Sequence, residues 1–199
     1  MKIIDCVQGS PEWFAARCGI PTASNFDKII TMDGKPSKQA EKYMFQLAGE
    51  RIVGKSEETY QNANMIRGVE MEAEAVSFYE LTTGKTVVKV GLCREERYAA
   101  SPDGFVDDDG LIEIKCPLIS TQVSYLLKNK LPSEYFQQVQ GQLFITGRKY
   151  EDFISYFPGL NPLVVRVFPD KEFHVLLKTQ LDLFCDELEE ITNKLKEEK

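Results

Sequence analysis

Residues 101–117 constrain this chain more than any other stretch: Ser-Pro-Asp-Gly, an acidic turn, then Leu-Ile-Glu-Ile-Lys-Cys-Pro. They read as two short strands joined by Asp107-Asp108-Asp109-Gly110, with Gly110 expected to supply the positive φ of a tight hairpin. Side chains alternate along a strand, so Ile112 and Ile114 point one way while Glu113 and Lys115 point the other. The two isoleucines are the expected core anchors. The opposite face then carries a carboxylate beside an ammonium, with Asp103 arriving from the neighbouring strand. Two carboxylates form an oxygen-rich site for a hard divalent ion, Mg²⁺ foremost. A lysine beside them can orient or help deprotonate an attacking water and steady negative charge on a phosphate. An ordinary hairpin with a surface ion pair would carry the same residues, so the rest of the chain has to decide.

A chain of 199 residues is one domain by length and can bury a substantial core. No apolar run reaches membrane-spanning length, and the start Met1-Lys2-Ile3-Ile4-Asp5 lacks a signal-peptide pattern, so a cytoplasmic location without a membrane partner is expected. The cysteines Cys6, Cys18, Cys93, Cys116 and Cys185 are odd in number and scattered, which fits reduced thiols rather than a zinc ribbon, an iron–sulfur cluster or a disulfide framework. A net charge of −7 counts against a generic nucleic-acid binder. The basic residues Lys28, Lys35, Lys38, Lys42, Arg51 and Lys55 nevertheless gather in the first third, which is compatible with a local basic groove on an acidic body.

Residues 10–17 carry a helix-start signal, with Ser10 as cap, Pro11 in the first turn and Glu12 after it. Trp13 and Arg17 are four apart and share a face, the ring expected inward and Arg17 outward. Thr22 or Ser24 can cap a helix over about residues 25–31. Open amides at such a start, a serine hydroxyl and a nearby arginine make a ready phosphate pocket. Helices are expected over about 38–53 and 67–82, with residues 54–64 polar and loose between them. Glu70, Glu72 and Glu74 on the second helix would ordinarily be a solvated face. Residues 85–92 are β-rich and are expected in the same sheet as the hairpin.

After a short helix near 121–130, a helix over about 134–146 holds Gln137, Gln138, Gln140 and Gln142. Tyr135, Val139 and Leu143 already supply its apolar stripe, so four glutamines are more than packing requires. Strands are expected near 153–157 and 163–168, then a helix over about 170–198 whose seam runs through Phe173, Leu177, Leu181, Phe184, Leu188, Ile191 and Leu195. Packing on its own domain is the better reading of that seam than a coiled coil. His174, the only histidine, has no His or Cys partner at ligand spacing and reads as structural.

Pro102-Asp103 followed by Glu113-Ile114-Lys115 resembles the PD-(D/E)XK nuclease signature. The longer string, from Ser101 through Cys116-Pro117, resembles the branch that contains lambda exonuclease and the YqaJ-type viral recombination nucleases. Three further strings resemble that branch in the same order: Arg17-x-Gly-x-x-Thr-Ala-Ser24, Gly68-x-x-x-Glu72-x-x-Ala75, and Gln138-Val139-Gln140. The resemblance implies an α/β fold with a restriction-endonuclease-like core, a central mixed β-sheet flanked by helices. It implies one nuclease domain over residues 1–199: a helical part to about 84, a catalytic sheet core over about 85–168, and the C-terminal helix.

For the site, the resemblance implies that Asp103, Glu113 and the Ile114 backbone carbonyl hold one or two Mg²⁺ or Mn²⁺ ions, with Glu72 assisting directly or through water. It selects Lys115 and Gln138 as the residues that position the attacking water, and Arg17, Ser24 and, near the phosphate, Ser101 as contacts to DNA. The activity implied is Mg²⁺-dependent 5′-to-3′ digestion of one strand of linear duplex DNA from 5′-phosphorylated ends. Digestion would leave a 3′ overhang for phage-type recombination. The implied partners are a toroidal homotrimer and a single-strand annealing protein, in a bacterial host carrying a phage or prophage. Two other functions keep the same core: a flap or junction endonuclease, and a catalytically silent DNA-end binding module. The intact Asp103, Glu113 and Lys115 speak against the silent module.

Overall fold

The computed structural model describes residues 1–56 and 63–197, with the backbone alone for 63–70. Part of the stretch expected to be loose, and the side chain of Glu70, therefore lie outside the described residues. In chain order the elements are β1 (Lys2–Ile4), α1 (Pro11–Arg17), a 3₁₀ helix (Ala23–Lys28), α2 (Ala40–Val53), α3 (Ala63–Thr83), β2 (Val87–Val88), β3 (Leu92–Arg94), β4 (Ala99–Ala100), β5 (Gly104–Val106) and β6 (Gly110–Lys115). There follow α4 (Ile119–Lys128), a 3₁₀ turn (Ser133–Tyr135), α5 (Phe136–Thr146), β7 (Tyr150–Ser155), β8 (Leu163–Val167) and α6 (Lys171–Glu197).

The central sheet is mixed, in the order β2-β5-β6-β7-β8, and only β6 and β7 run parallel. Parallel strands need a crossover, and α4 with α5 provides it. One sheet face buries Val106, Ile112, Ile114 and Ile154 against Ala75 and Tyr79 of α3. The other buries Leu111 and Phe153 against Val139 and Leu143 of α5. Ile112 and Ile114 are core anchors as expected. The Glu113 face, however, is not an open surface but the floor beneath α5.

Behind α5 lies a helical core of Phe26, Ile29, Tyr43 and Leu47 with Phe173, Leu177, Leu181, Phe184 and Leu188 of α6. The seam of α6 thus packs on its own chain as far as Ile191, chiefly against α2, while Leu195 is exposed. Gly141 permits the contact between α5 and the N-terminal segment: a Cβ there would stand 2.5 Å from a Phe26 ring carbon. Gly141→Ala should therefore lower stability by about 1–3 kcal/mol. Thermal melting should show this as a drop of roughly 3–10 °C, and digestion should weaken with it because α5 carries two site glutamines.

Four local expectations differ from the structure. The 85–92 stretch is not one strand: β2 joins the central sheet, while β3 pairs with β1 and β4 in a separate three-stranded sheet. The crossing occurs at Gly91, which lies so close to the backbone of Ile4 and Cys6 that no Cβ would fit. In the hairpin turn the positive φ belongs to Asp107 (46°), and Gly110 is instead the first residue of β6. The segment after Thr22 is a six-residue 3₁₀ helix over Ala23–Lys28, and Thr22 makes no side-chain cap. Arg17 is buried, not outward. All five cysteines are free, as expected.

Candidate active site

Strand β5 begins pairing at Gly104 opposite Ile112, which sets Asp103 opposite Glu113 on the same face. The Asp103 amide donates to the Ile112 carbonyl (3.1 Å), and its carboxylate Oδ2 accepts from the Ile114 amide (2.6 Å). A side chain has replaced the ladder's next backbone acceptor. Oδ1 accepts no hydrogen bond from the described residues.

Glu113 is buried at 2 % exposure, which a carboxylate tolerates only when it is well partnered. Oε1 accepts from Gln138 Nε2 (2.6 Å) and from Lys115 Nζ (2.5 Å), and Oε2 accepts from Gln142 Nε2 (2.7 Å). The Lys115 ammonium also lies 5.2 Å from the centroid of the Tyr135 ring. Gln138 and Gln142 sit one helical turn apart on α5, so a single helix face delivers both amides to one carboxylate. The other two glutamines of the run are engaged as well, Gln137 with the Ile30 carbonyl and Gln140 with the Phe168 carbonyl, the Asp170 amide and His174. The run is therefore a set of buried hydrogen bonds, and His174 is structural.

Burial first, and then the Glu113 charge, push the Asp103 carboxyl well above the ordinary carboxylate range, with Lys115 acting against them and Glu72 adding to them. Burial alone would lower the Lys115 pKa, but the Glu113 and Asp103 carboxylates more than reverse this and hold it above the ordinary lysine value. Lys115 is thus a fixed cation. Two converging carboxylates whose joint ionisation is disfavoured fit a divalent cation, which relieves that repulsion.

Among the described residues no three His, Cys, Asp or Glu side chains cluster as metal ligands. Glu72 is drawn to Lys89 (2.9 Å), and Glu74 accepts from the Tyr156 hydroxyl (2.6 Å). The carboxylates that converge here are therefore those of Asp103 and Glu113, with Glu72 near enough to act on the Asp103 charge.

A second group of polar side chains stands at the N-terminal segment. The Arg17 guanidinium lies 4.1 Å from the Trp13 ring centroid and donates from Nη2 to Thr22 Oγ1 (3.2 Å) and Ser24 Oγ (3.3 Å). It lines a small cavity with Thr22, Tyr43, Gln46 and Glu50. Glu50 braces the loop by accepting from the Gly19 amide (2.8 Å). The amide of Asn25 donates to the Thr22 carbonyl (2.8 Å), closing the first turn of the 3₁₀ helix. Trp13 Nε1 donates to Ser101 Oγ (3.0 Å), which ties this pocket to the carboxylate-bearing hairpin two residues before Asp103.

Every expected site residue is thus placed, and the structure brings Asp103, Glu113, Lys115 and Gln138 together, with Arg17, Ser24 and Ser101 linked through Trp13. Sequence reasoning missed Gln142, although its four-residue spacing from Gln138 was the available signal. Trp13 and Tyr135 were read only as packing residues. Nothing in the sequence singled out Glu151, which is buried next to this site.

A mixed sheet with two carboxylates and a lysine at the mouth of its central strands defines a nuclease-class domain. The YqaJ-like viral recombinase domain matches residues 12–149, and the chain belongs to that family. The alkaline exonuclease LHK-Exo from Laribacter hongkongensis is 36% identical, with 95% of this chain and 97% of that one covered and a TM-score of 0.86. The same enzyme in complex with dAMP gives the same values. A phage-related exonuclease from Haemophilus somnus 129PT, 17% identical over 90% of this chain and 96% of that one (TM-score 0.70), shares the fold. A search of curated proteins gave no match. The family and the 36%-identical relative make this a nuclease of exonuclease type. No helix among the described residues is long and apolar enough to cross a membrane.

Proposed function

We propose that this protein is a metal-dependent 5′-to-3′ exodeoxyribonuclease that digests one strand of linear duplex DNA from a 5′-phosphorylated end. The observation that carries this reading is the bond from Trp13 to Ser101, which joins the arginine pocket to the carboxylate hairpin. An anion pocket linked to a hydrolytic centre suits an enzyme that must hold an end while cutting beside it. Arg17, Thr22 and Ser24 would grip the terminal phosphate, and Ser101 would meet the DNA backbone near the carboxylates.

Asp103, Glu113 and the Ile114 carbonyl would hold one or two Mg²⁺ or Mn²⁺ ions, with Glu72 assisting through water. A bound ion would supply Lewis-acid stabilisation of the leaving 3′-oxygen. Lys115, being charged, would donate to the attacking water and offset negative charge on the phosphate rather than act as a free base. Gln138 would hold Glu113 in place and share in orienting that water. The dAMP complex of LHK-Exo supports a nucleotide-sized product.

Beyond the reaction, the reading includes a toroidal trimer, whose lined channel would reconcile a net charge of −7 with DNA binding. It includes a 3′ overhang handed to a single-strand annealing protein, and a phage or prophage gene acting in the host cytoplasm.

The test is digestion in Mg²⁺ of linear duplex with and without a 5′-phosphate, beside a closed circle and an EDTA control. The phosphorylated linear DNA should be degraded about a hundredfold faster than the unphosphorylated form, and EDTA should stop it. Cleavage of the circle would instead establish a structure-dependent endonuclease. Retained end binding without digestion would establish the silent module.

A further inference from the structure

Among the described residues, the buried side-chain atoms without a hydrogen-bond partner include three oxygens: Gln142 Oε1 and both carboxyl oxygens of Glu151. Glu151 is 0 % exposed and Gln142 is 1 % exposed. Orphaned buried acceptors are costly, so three in one region call for a donor.

The fold brings these residues to one face. In the parallel β6–β7 pair, Leu111 stands opposite Glu151 and Glu113 opposite Phe153, so Glu151 lies on the α5-covered face, one step back from Glu113. From the 3₁₀ turn into α5 the contacts run in matching order: Tyr135 faces Lys115, Gln138 and then Gln142 reach Glu113, and Leu143 packs with Leu111 and Phe153. Glu151 stands beside Leu111, the residue that Leu143 covers. The orientation of the Gln142 amide is also fixed, because Glu113 can only accept and so draws Nε2, turning Oε1 away from it.

We propose that Glu151 is a positioning residue that, as a carboxylic acid, donates its hydroxyl to Gln142 Oε1 and so locks the Gln142 amide onto Glu113 Oε2. One proton gives the Gln142 oxygen its missing donor and leaves no negative charge buried without a counter-charge. Burial first, then the Glu113 and Asp103 charges, push the Glu151 carboxyl well above the ordinary carboxylate range, with Lys115 opposing and Asp152 adding. The chain Glu151–Gln142–Glu113 thus fixes one of the two carboxylates of the proposed metal site from beneath. This inference rests on the metal-site reading of Glu113, and its tests need no DNA digestion.

Infrared difference spectra between the wild type and Glu151→Gln, at mildly alkaline pH, should show a protonated-carboxyl C=O band lost in the variant. Mn²⁺ binding by calorimetry should weaken about tenfold in Glu151→Leu. It should stay within about twofold of wild type in Glu151→Gln, whose amide still offers a donor. In a Gln142→Leu background, Glu151→Leu should add nothing further. That double variant removes both partners and is expected to fold even where Glu151→Leu alone does not. An ionised Glu151, or an equal loss from Glu151→Leu with and without Gln142, would overturn the proposal. Absence of Mn²⁺ binding in the wild type would sink the metal-site reading, while the infrared result would still decide the state of Glu151.

Discussion

Lys115→Ala is expected to reduce the single-turnover rate on 5′-phosphorylated duplex by about 10³-fold or more, without unfolding the protein. Among the described residues the ammonium is the cation paired with the Glu113 carboxylate, 2.5 Å from Oε1, and Glu113 and Asp103 hold it charged. Removing it takes away both the donor aimed at the attacking water and the charge that offsets the phosphate. The fold should survive because the lysine side chain is partly exposed, at 28 %, and Glu113 keeps the Gln138 and Gln142 amides. Divalent-ion binding should not weaken, since Lys115 competes with a cation for Glu113. An inactive variant that binds Mn²⁺ at least as tightly as wild type would separate this role from that of a ligand. A rate within tenfold of wild type would remove Lys115 from the mechanism.

That prediction rests on residues legible in the sequence, because strand alternation and a short hairpin bring Asp103, Glu113 and Lys115 together without long-range information. The glutamines were legible only in part. Gln138 came from resemblance, whereas Gln142 required knowing that α5 lies along β6, so that two successive turns reach one carboxylate. Glu151 was out of reach for a clearer reason. An acid at the start of a strand is usually exposed, and its burial depends on the parallel pairing of β6 with β7, some forty residues apart in the chain. The same limit applied to Arg17. A seven-residue helix gives no indication that α2 and the 3₁₀ segment will close over one side of it. The 85–92 stretch failed differently: its β propensity was read correctly, but propensity does not say which sheet a strand joins.

The burial of Arg17 raises what is expected of its removal. A guanidinium stacked on Trp13 and aligned by the Thr22 and Ser24 hydroxyls has already given up its solvation and rotamer freedom before DNA arrives. Such a group binds a terminal phosphate with charge-assisted hydrogen bonds worth about 2–3 kcal/mol. Arg17→Ala should therefore cut the preference for phosphorylated over unphosphorylated ends by about a hundredfold. The rate on unphosphorylated duplex should change little. Arg17→Lys keeps the charge but not the planar fork, and should fall between the two. Ser24→Ala, which removes a single exposed hydroxyl, should have the smallest effect.

The comparison of the two substrates is what gives the measurement its force. Loss of Arg17 also removes stem packing beside Tyr43 and could loosen α1, but a loosened fold would slow both substrates alike. An equal fall on both would make Arg17 a structural residue and detach the pocket from end recognition. A fall confined to the phosphorylated end would tie the pocket to the 5′-phosphate. The Trp13–Ser101 bond would then be the route by which a seated phosphate fixes the hairpin that carries Asp103, and Ser101→Ala should lose part of the same discrimination.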